Sequence, residues 1–442
     1  MKKIGIVGGG YSGTALLAML CKHAKEALEI IICDQTGCFG EGPAYQTPYT
    51  HHLLNVRAGD MSAFEDDATH FVRWLETQPD KLALLDNKTP LAIQFVPRCF
   101  YREYLQSLIQ SPTQTVRFES IAIVDLMIDA HAVHMIAESG QSFSVDEVVL
   151  ALGNNPPSAF PFPIASGVKR IDNPWDYVAI EHIGKQETVL IVGTGLSMID
   201  AVLTLEQQHH TGTIFALSRH GLLPLAHSHE LHVEPWHPSD DDMRGLTQLV
   251  RKRADHHMRA GGDWRSIVGG LRSHITTIWQ QAGIAEKRKF LRHLLPYWNI
   301  HRHRVHIEIT EMLEKLIAKQ QLKILGGRIL KVDAEGVEFK DRETQAIRVL
   351  PIDWLINCMG PEQQMRAKHQ PLIAALLASG RATLDELKLG FAVNDELALI
   401  GQDGKVSERV HSLGSPTKGK YWEMTAVPDI RKQVYQLAMK LL

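Results

Sequence analysis

The chain has 442 residues, of which 44% are hydrophobic, so it is long enough for two or three domains with full cores. Its net charge is −3, and we expect acidic and basic residues to be mixed along it, which favours small-molecule partners over nucleic acid or membrane. No apolar stretch approaches the roughly 20 residues of a membrane span, and five scattered cysteines fit a reduced, cytoplasmic protein.

The N-terminus carries a predicted βαβ unit. Residues 2–8 (KKIGIVG) are predicted to form a buried strand, residues 12–24 a helix, and residues 28–34 (LEIIICD) a second strand. Short strands follow in TVRFES, IAIVDLMID and AVHMIAES, and residues 146–153 (DEVVLALG) form a strand that ends at glycine. This order is typical of a dinucleotide-binding fold.

The loop after the first strand has the spacing Gly8-x-Gly10-x-x-Gly13. The first glycine permits a tight turn, the second lets the backbone approach a pyrophosphate, and the third allows close packing of the helix on the strand. Ser12 lies in the same loop, and Asp34 ends the second strand, where it can accept a hydrogen bond from a ribose hydroxyl. We predict a bound dinucleotide; the alternative is a glycine-rich turn without a ligand.

The second half of the chain repeats this order of elements. Residues 187–193 (ETVLIVG) are predicted to form a strand, residues 196–208 a helix, and residues 212–219 (GTIFALSR) a second strand. The repetition predicts an α/β protein with two tandem Rossmann-like dinucleotide-binding folds.

The second loop departs from the first in two places. Gly193 and Gly195 are present and Ser197 follows them, but Met198 takes the place of the third glycine. We interpret Arg219 as standing where the acid would be, and a guanidinium there suits a 2′-phosphate, which favours NADPH over NADH. The alternative is a solvated surface arginine.

A long segment, roughly 227–320, lacks strand patterning. Its apolar residues lie three and four apart, so we predict a helical insert in the second fold. Further strands are predicted in LKILGG, RILKVD and GVEFKD and in residues 353–360 (DWLINCMG).

The domain boundaries follow from a proline-rich segment and a pair of glycines. Residues 154–177 mark the first crossing between domains, and we expect the return near Gly326 and Gly327. The prediction is therefore a discontinuous FAD-binding domain of residues 1–160 and 328–442, with an NADPH-binding domain of residues 161–327 between its parts. Two dinucleotides in one chain suggest a relay in which a nicotinamide delivers hydride to a flavin.

Several motifs together resemble a known family, the bacterial FAD/NAD(P)-binding proteins whose N-terminal domain is shared with FAD-dependent urate hydroxylase and nitrosuccinate synthase. They are GIVGGGYSGTALL, GEGPAYQTPYTHHLLNV, MSAF, FVPRCFYREYL, GTGLSMID, LSRHGLLPLAH, FLRHLLPYWNIHRHR, LINCMGP and YWEMTAVPDIRKQ. The resemblance covers nearly the whole chain. The family is more distantly similar to the N-hydroxylating and Baeyer-Villiger flavin monooxygenases.

The resemblance implies further cofactor-binding residues. Gly42 and Tyr45 belong to a loop that should follow the pyrophosphate and the ribityl chain, and Asn55 should approach the isoalloxazine, although a turn amide explains Asn55 equally well. Gly414 resembles the close approach of a strand end to the ribityl chain.

The C-terminal motif implies a helix that points at the flavin. Thr425 or Val427 precedes the helix, Pro428 is expected at its first position and Asp429 in its first turn. Its positive end would face the flavin edge where negative charge accumulates on reduction. An ordinary C-terminal helix is the alternative.

Other candidate residues are weaker. The spacing of Cys33 and Cys38 is reminiscent of disulfide reductases, but Cys33 closes an apolar strand, so we do not expect redox activity there. The stretch HSHELH (His227, His229, His232) is expected to be polar surface, not a metal site.

A basic cluster, HRHR, and one separate arginine complete the candidates. We interpret His301 and His303 as surface residues, whereas Arg98 and Arg304 could equally hold an anionic substrate or a cofactor phosphate.

The sequence is therefore interpreted as an NADPH-dependent FAD monooxygenase that uses O2 through a flavin C4a-hydroperoxide to hydroxylate a small polar substrate. A reductase or dehydrogenase of the same fold that does not insert oxygen and a non-catalytic dinucleotide-binding sensor are the alternatives.

Overall fold

The computed structural model describes residues 1–228, 233, 236–238 and 242–442. These divide into two compact units: unit 1 comprises residues 1–155 and 363–442, and unit 2 comprises residues 156–362. Each unit contains a largely parallel sheet with helices, as the sequence predicts. Within the described part of the chain, no helix is long and apolar enough to cross a membrane.

The first segment of unit 1 contains seven strands and four helices. The strands are β1 (Lys2–Val7), β2 (Leu28–Cys33), β3 (Thr115–Glu119), β4 (Ile123–Ile128), β5 (Val133–Ala137), β6 (Ser142–Val145) and β7 (Glu147–Leu150). The helices are α1 (Tyr11–His23), α2 (His70–Glu76), α3 (Pro79–Leu82) and α4 (Arg98–Ser107).

Within its described residues, unit 2 contains seven strands and eight helices. The strands are β8 (Lys169–Ile171), β9 (Val189–Val192), β10 (Ile214–Ser218), β11 (Leu322–Asp333), β12 (Gly336–Asp341), β13 (Ile347–Leu350) and β14 (Trp354–Asn357). The helices are α5 (Tyr177–Glu181), α6 (Leu196–Gln207), α7 (Met243–Arg259), α8 (Trp264–Gly270), α9 (Ile275–Gln281), α10 (Ile284–Lys289), α11 (Leu295–Arg302) and α12 (Ile307–Ala318).

The last segment returns to unit 1 and completes its sheet and core. Its elements are α13 (Pro371–Ala378), β15 (Ala398–Ile400), β16 (Val406–Ser412) and α14 (Val427–Leu441).

The main sheet of unit 1 has the strand order β15-β16-β7-β1-β2-β3. β1 is parallel to β2 and to β7, and β7 is parallel to β16, so four strands end at one edge. Helices α1 and α14 pack in one apolar cluster on this sheet, and the strands β4–β6 with α13 contribute to a second cluster. Apolar cover on both faces explains why β1 and β2 are almost continuous apolar runs.

The sheet of unit 2 has the strand order β13-β12-β11-β10-β9-β14-β8. β8, β14, β9, β10 and the first half of β11 are parallel, and β12 and β13 are antiparallel additions. LKILGG and RILKVD, predicted as separate strands, form the single strand β11, with a register shift between Ile329 and Lys331. The strand leaves β10 and pairs with β12 after Gly326, so two pairing partners divide one strand.

The predicted return to the first domain near Gly326 and Gly327 is wrong. Unit 2 continues to residue 362, and its first residue is 156 instead of 161. The reason is β14, which lies between β9 and β8 and forms parallel ladders with both. Residues 328–362 therefore complete the second sheet and cannot close the first domain.

The helical insert is present, but its charge differs from the expectation of evenly mixed residues. Between residues 242 and 306, which include α7 to α11, thirteen Lys and Arg accompany four Asp and Glu, a net charge of +9, whereas the whole chain carries −3. Five of these basic residues are exposed on α7: Arg244, Arg251, Lys252, Arg253 and Arg259. The expectation that no basic surface stands out is wrong for this segment.

Candidate functional site

The turn after β1 requires glycine at two positions. Gly8 has φ +112°, its N–H donates to the carbonyl of Cys33 at 2.8 Å, and a Cβ on it would lie 2.3 Å from the carbonyl oxygen of Ala151. A Cβ on Gly13 would lie 1.9 Å from the carbonyl oxygen of Gly8. Larger residues at these positions would push α1 away from the sheet, so this part of the fingerprint serves packing.

Gly10 leaves open the end of α1. It is the N-cap with φ −72°, and a Cβ on it would meet only the Cα of Gly42, at 3.6 Å. No side chain caps the helix, so the first N–H groups, which include those of Tyr11 and Ser12, have no capping acceptor. A helix end of this kind favours an anion such as pyrophosphate.

Asp34 is fixed at the end of β2, beside the glycine turn. Its Oδ2 accepts from the N–H of Gly9 at 2.7 Å, and its Oδ1 accepts from the N–H and the hydroxyl of Thr36 at 2.9 and 2.6 Å. A carboxylate has about four acceptor positions, so one remains for a ribose hydroxyl.

The loop after β2 returns to the glycine turn. Gly42 has φ +69°, and a Cβ on it would lie 3.3 Å from the Cα of Gly10. Tyr45 donates its N–H to the carbonyl of Gly42 at 3.1 Å, and its ring centroid lies 4.8 Å from that of Tyr101. Burial raises the pKa of the Tyr45 phenol, so this hydroxyl is protonated at neutral pH.

The C-terminal segment closes the same site. Gly414 has φ +76°, and a Cβ on it would lie 2.7 Å from the hydroxyl oxygen of Ser12. Its N–H donates to Oε1 of Gln433 at 3.1 Å, and the hydroxyl of Tyr11 donates to the carbonyl of Val427 at 3.4 Å. The N-termini of α1 and α14 therefore lie side by side, next to a bare strand end.

The start of α14 differs slightly from the expectation. The helix begins at Val427 with Ala426 as its N-cap, so Pro428 is its second residue instead of its first. Thr425 is exposed and precedes the cap, while Asp429 lies in the first turn. As at α1, no side chain caps this helix.

Sequence reasoning missed two residues that organise the site of unit 1. Tyr11 joins the two helix N-termini, and Gln433, 4% exposed, orients Gly414 from the buried face of α14. An amide within an apolar helical face was the available signal for Gln433, because a buried amide requires hydrogen-bond partners.

Unit 2 repeats the turn. Gly193 has φ +112°, its N–H donates to the carbonyl of Leu217 at 2.8 Å, and a Cβ on it would lie 2.2 Å from the carbonyl oxygen of Cys358. Gly195 is the uncapped N-cap of α6, and a Cβ there would meet nothing within 4 Å. Ser197 is half-buried in the first turn of α6.

Strand register shows which residue of unit 2 occupies the position of Asp34. The turn glycine of each unit bonds to the last paired residue of its neighbouring strand, which is Cys33 in unit 1 and Leu217 in unit 2. The residue after Leu217 is Ser218, so the expectation that Arg219 stands at the acid position is wrong by one residue.

Ser218 also repeats the bond that the acid makes. Its hydroxyl oxygen lies 2.9 Å from that of Thr194, the second residue of the glycine turn, as Asp34 bonds to the N–H of Gly9. Arg219 follows with an exposed side chain.

The structure places the remaining candidates of unit 1 away from bare surface. Asn55 is half-buried in a bend after the bridge between Leu53 and Pro97. Arg98 donates from Nε to the carbonyl of Leu53 at 3.0 Å, so it supports that bend. Cys33 is buried, and burial, followed by the nearby Glu119 carboxylate, raises the pKa of its thiol to about 12.

The candidates of unit 2 lie in or near the insert. His301 lies 2.8 Å through Nδ1 from the carbonyl of Tyr297, and Arg304 is buried at 8% exposure. His303 donates its N–H to the carbonyl of Asn299 at 2.8 Å, and His227 donates its N–H to the carbonyl of Val305 at 2.8 Å.

The stretch HSHELH is only partly covered by the structure. His229 and His232 lie outside the described residues. Among the residues that are described, no group of three or more His, Cys, Asp or Glu side chains could hold a metal ion.

Comparison with known proteins agrees with this geometry. Residues 5–155 match the family described as FAD-NAD(P)-binding. A comparison with curated proteins finds no match.

Solved structures match over the whole chain. The ornithine hydroxylase of Pseudomonas aeruginosa, in its reduced form, is 17% identical, with 100% of this chain and 98% of that chain covered and a TM-score of 0.66. The ornithine N-hydroxylase of Kutzneria sp. 744, described with reduced FAD, NADP+ and L-ornithine, is 12% identical, with coverage of 99% and 98% and a TM-score of 0.71. The bacillithiol disulfide reductase of Bacillus cereus is 12% identical, with coverage of 100% and 98% and a TM-score of 0.54. At these identities the likeness shows the fold, an arrangement of two Rossmann-type domains that this chain shares with flavin monooxygenases and disulfide reductases.

Proposed function

We propose that the chain is an NADPH-dependent FAD monooxygenase that hydroxylates a small polar substrate. The observation that carries the proposal is the repetition of one device: α1 and α6 both begin without a cap behind a Gly-x-Gly turn, at the carboxyl end of a parallel sheet. Two such sites in one chain supply both members of a hydride relay.

The residues of unit 1 fit FAD. The open position at Gly10 admits a pyrophosphate to the N-terminus of α1, and Asp34 retains acceptor capacity for the adenosine ribose. Gly414 would let the ribityl chain approach the strand end, and the uncapped end of α14 would stabilise negative charge on the flavin. The match to the FAD-NAD(P)-binding family supports this half of the proposal.

The residues of unit 2 fit NADPH. Gly193 and Gly195 would hold the pyrophosphate against α6, with Ser197 in the first turn. Ser218 is neutral, so no carboxylate repels a 2′-phosphate, and Arg219 offers an exposed guanidinium beside it.

The cofactors supply the redox chemistry, because NADPH donates hydride to FAD and reduced FAD reacts with O2. The overall balance is NADPH, H+, O2 and substrate giving NADP+, water and hydroxylated substrate. The chain's own residues have a binding and orienting task, which accounts for a site without an acid-base pair: backbone N–H groups hold the phosphates, and Asp34 orients a ribose.

A reductase that does not insert oxygen is the second candidate, since a disulfide reductase shares the fold. A dithiol mechanism needs a thiolate, whereas burial raises the pKa of Cys33 to about 12 and all five cysteines are free thiols. The cysteine nearest the proposed FAD loop therefore does not support this candidate.

The test is NADPH oxidation by FAD-loaded protein, measured in air and under nitrogen with a panel of amines that includes ornithine, which the neighbouring hydroxylases act on by name. A monooxygenase oxidises NADPH continuously in air, with one hydroxylated product per NADPH, and stops under nitrogen once the flavin is reduced. Turnover under nitrogen with an added acceptor, and no oxygenated product in air, would identify a reductase. Binding without NADPH oxidation would identify a sensor.

A further inference from the structure

Unit 2 brings a second arginine to the edge where β10 ends. Ser218 is paired with Gly326 of the parallel strand β11, and the β11–β12 hairpin then returns the chain to this point. The N–H of Arg342, the residue after β12, donates to the carbonyl of Gly326 at 2.9 Å. Two strand spacings, about 10 Å, therefore separate the backbones of Ser218 and Arg342, a gap that an arginine side chain spans in large part.

The surface between them carries no side chain. A Cβ on Gly326 would lie 3.5 Å from both Cβ and Cδ of Arg342 and 3.5 Å from the carbonyl carbon of His220. Gly221 approaches from the other side, since a Cβ on it would lie 3.1 Å from the N of Gly326. The stem of Arg342 thus runs over a bare strand toward the turn that carries Arg219 and His220.

The charges at this point lack an anion. Burial, then Arg342, then Arg219 lower the pKa of His220, so both guanidinium groups act on one imidazole. Both arginines are exposed, and in the described part of the chain neither forms an ion pair. On the same hairpin, by contrast, Arg348 contacts Asp341 at 2.9 Å.

We propose that Arg342 is a second cation for the 2′-phosphate of NADPH, acting together with Arg219; this rests on the proposed NADPH site in unit 2. A phosphate monoester carries a charge of about −1.5 to −2 and three acceptor oxygens, more than one guanidinium neutralises. The β12–β13 extension of the sheet then has a role in selecting the cofactor, because it carries Arg342 to the adenosine side of the site.

The test is calorimetric binding of NADP+ and NAD+ to FAD-loaded protein at fixed, low salt, with Arg342→Ala and, as the matched control on the same hairpin, Arg348→Ala. Arg342→Ala should weaken NADP+ binding about tenfold or more and leave NAD+ binding within about twofold, because a charge-assisted contact is lost only with the phosphate. Arg342→Lys should recover part of the loss. Competition by 2′-AMP against 5′-AMP measures the phosphate contact alone, and flavin content checks the fold.

The outcomes separate the two levels of the argument. If Arg219→Ala loses NADP+ affinity while Arg342→Ala and Arg348→Ala behave alike, the second-cation proposal is overturned and the NADPH site stands. Equal losses for NADP+ and NAD+ in Arg342→Ala would also overturn it, since they indicate a structural role. If the unsubstituted protein binds NAD+ as tightly as NADP+, the proposed use of NADPH fails, and the inference fails with it.

Discussion

Replacing Gly10 with glutamate tests the assignment of unit 1 most directly. A Cβ at this position meets nothing closer than 3.6 Å, and φ −72° is accessible to any L-residue, so the apo chain can accept a side chain. Exchanging glycine for a residue that caps helices poorly costs about 0.5–1 kcal/mol, far less than a typical folding free energy. We therefore expect the variant to fold.

The effect on FAD should be much larger. A carboxylate about 4 Å from one pyrophosphate charge raises the free energy of the complex by about 4 kcal/mol at an effective dielectric constant of about 20, which corresponds to roughly 1000-fold weaker binding. Gly10→Gln has the same shape without the charge, so the difference between the two variants isolates the electrostatic part. Gly195→Glu places the same charge at the loop of unit 2, where a Cβ would also meet nothing within 4 Å, and should leave flavin content unchanged.

Flavin stoichiometry from the visible and ultraviolet absorbance of purified protein is the first measurement, and titration of the deflavinated protein with FAD gives the affinity. We expect colourless Gly10→Glu protein with an unchanged circular dichroism spectrum. A yellow Gly10→Glu protein with one FAD per chain would refute the assignment, and equal flavin loss in Gly195→Glu would show that the effect is not specific to the loop of unit 1.

Three further changes probe separate features. Ser218→Asp restores an acid beside the proposed 2′-phosphate and should lower the ratio of kcat/KM for NADPH to that for NADH at least about tenfold, since like charges repel; an unchanged ratio in steady-state assays would contradict the register argument. Burial raises the pKa of Glu147, but hydrogen bonds from His411 and Lys2 hold it below the ordinary value, so its contribution to stability is present above about pH 4.5 and lost at lower pH. Glu147→Gln should lower the free energy of unfolding by about 3 kcal/mol near pH 7 and flatten its decline in acid, measured by urea titration from pH 3 to 7, and an unchanged acid slope would contradict the ion pair. Iodoacetamide at pH 8 should label Cys33 only after unfolding, because burial raises its pKa to about 12; labelling in the native protein, detected by peptide mass, would disprove that environment.

The parts of the fold that the sequence could predict depend on local chemistry. β1, β2 and β9 are parallel strands within their sheets, so they are continuous apolar runs, and glycines follow β1 and β9 where the backbone turns with positive φ. The helices of the insert follow in the same way from their apolar spacing.

The parts that it could not predict depend on which strands pair. The pattern of β11 indicates a strand, but nothing local shows that its first half pairs with β10 and its second half with β12. The same limitation displaced the domain boundary to Gly326 and shifted Arg219 by one position, because the end of a strand is set by the hydrogen bonds of its neighbours. Arg342 was outside sequence reasoning altogether, since a hairpin brings it to Ser218 from more than a hundred residues away.

The two loops also show how one backbone device can serve two different ligands. Both units form the turn with a glycine at φ +112° and leave the following helix uncapped, so the pyrophosphate contact does not distinguish FAD from NADPH. The units differ one residue beyond the strand that follows, where Asp34 carries a charge and Ser218 does not. A charged acceptor favours a ribose hydroxyl and opposes a phosphate, whereas a neutral hydroxyl beside a guanidinium does the reverse. Under the proposed assignment, cofactor choice therefore depends on the charge of these side chains and not on backbone shape, which is why single substitutions at Ser218, Arg219 or Arg342 should change selectivity without disturbing either fold.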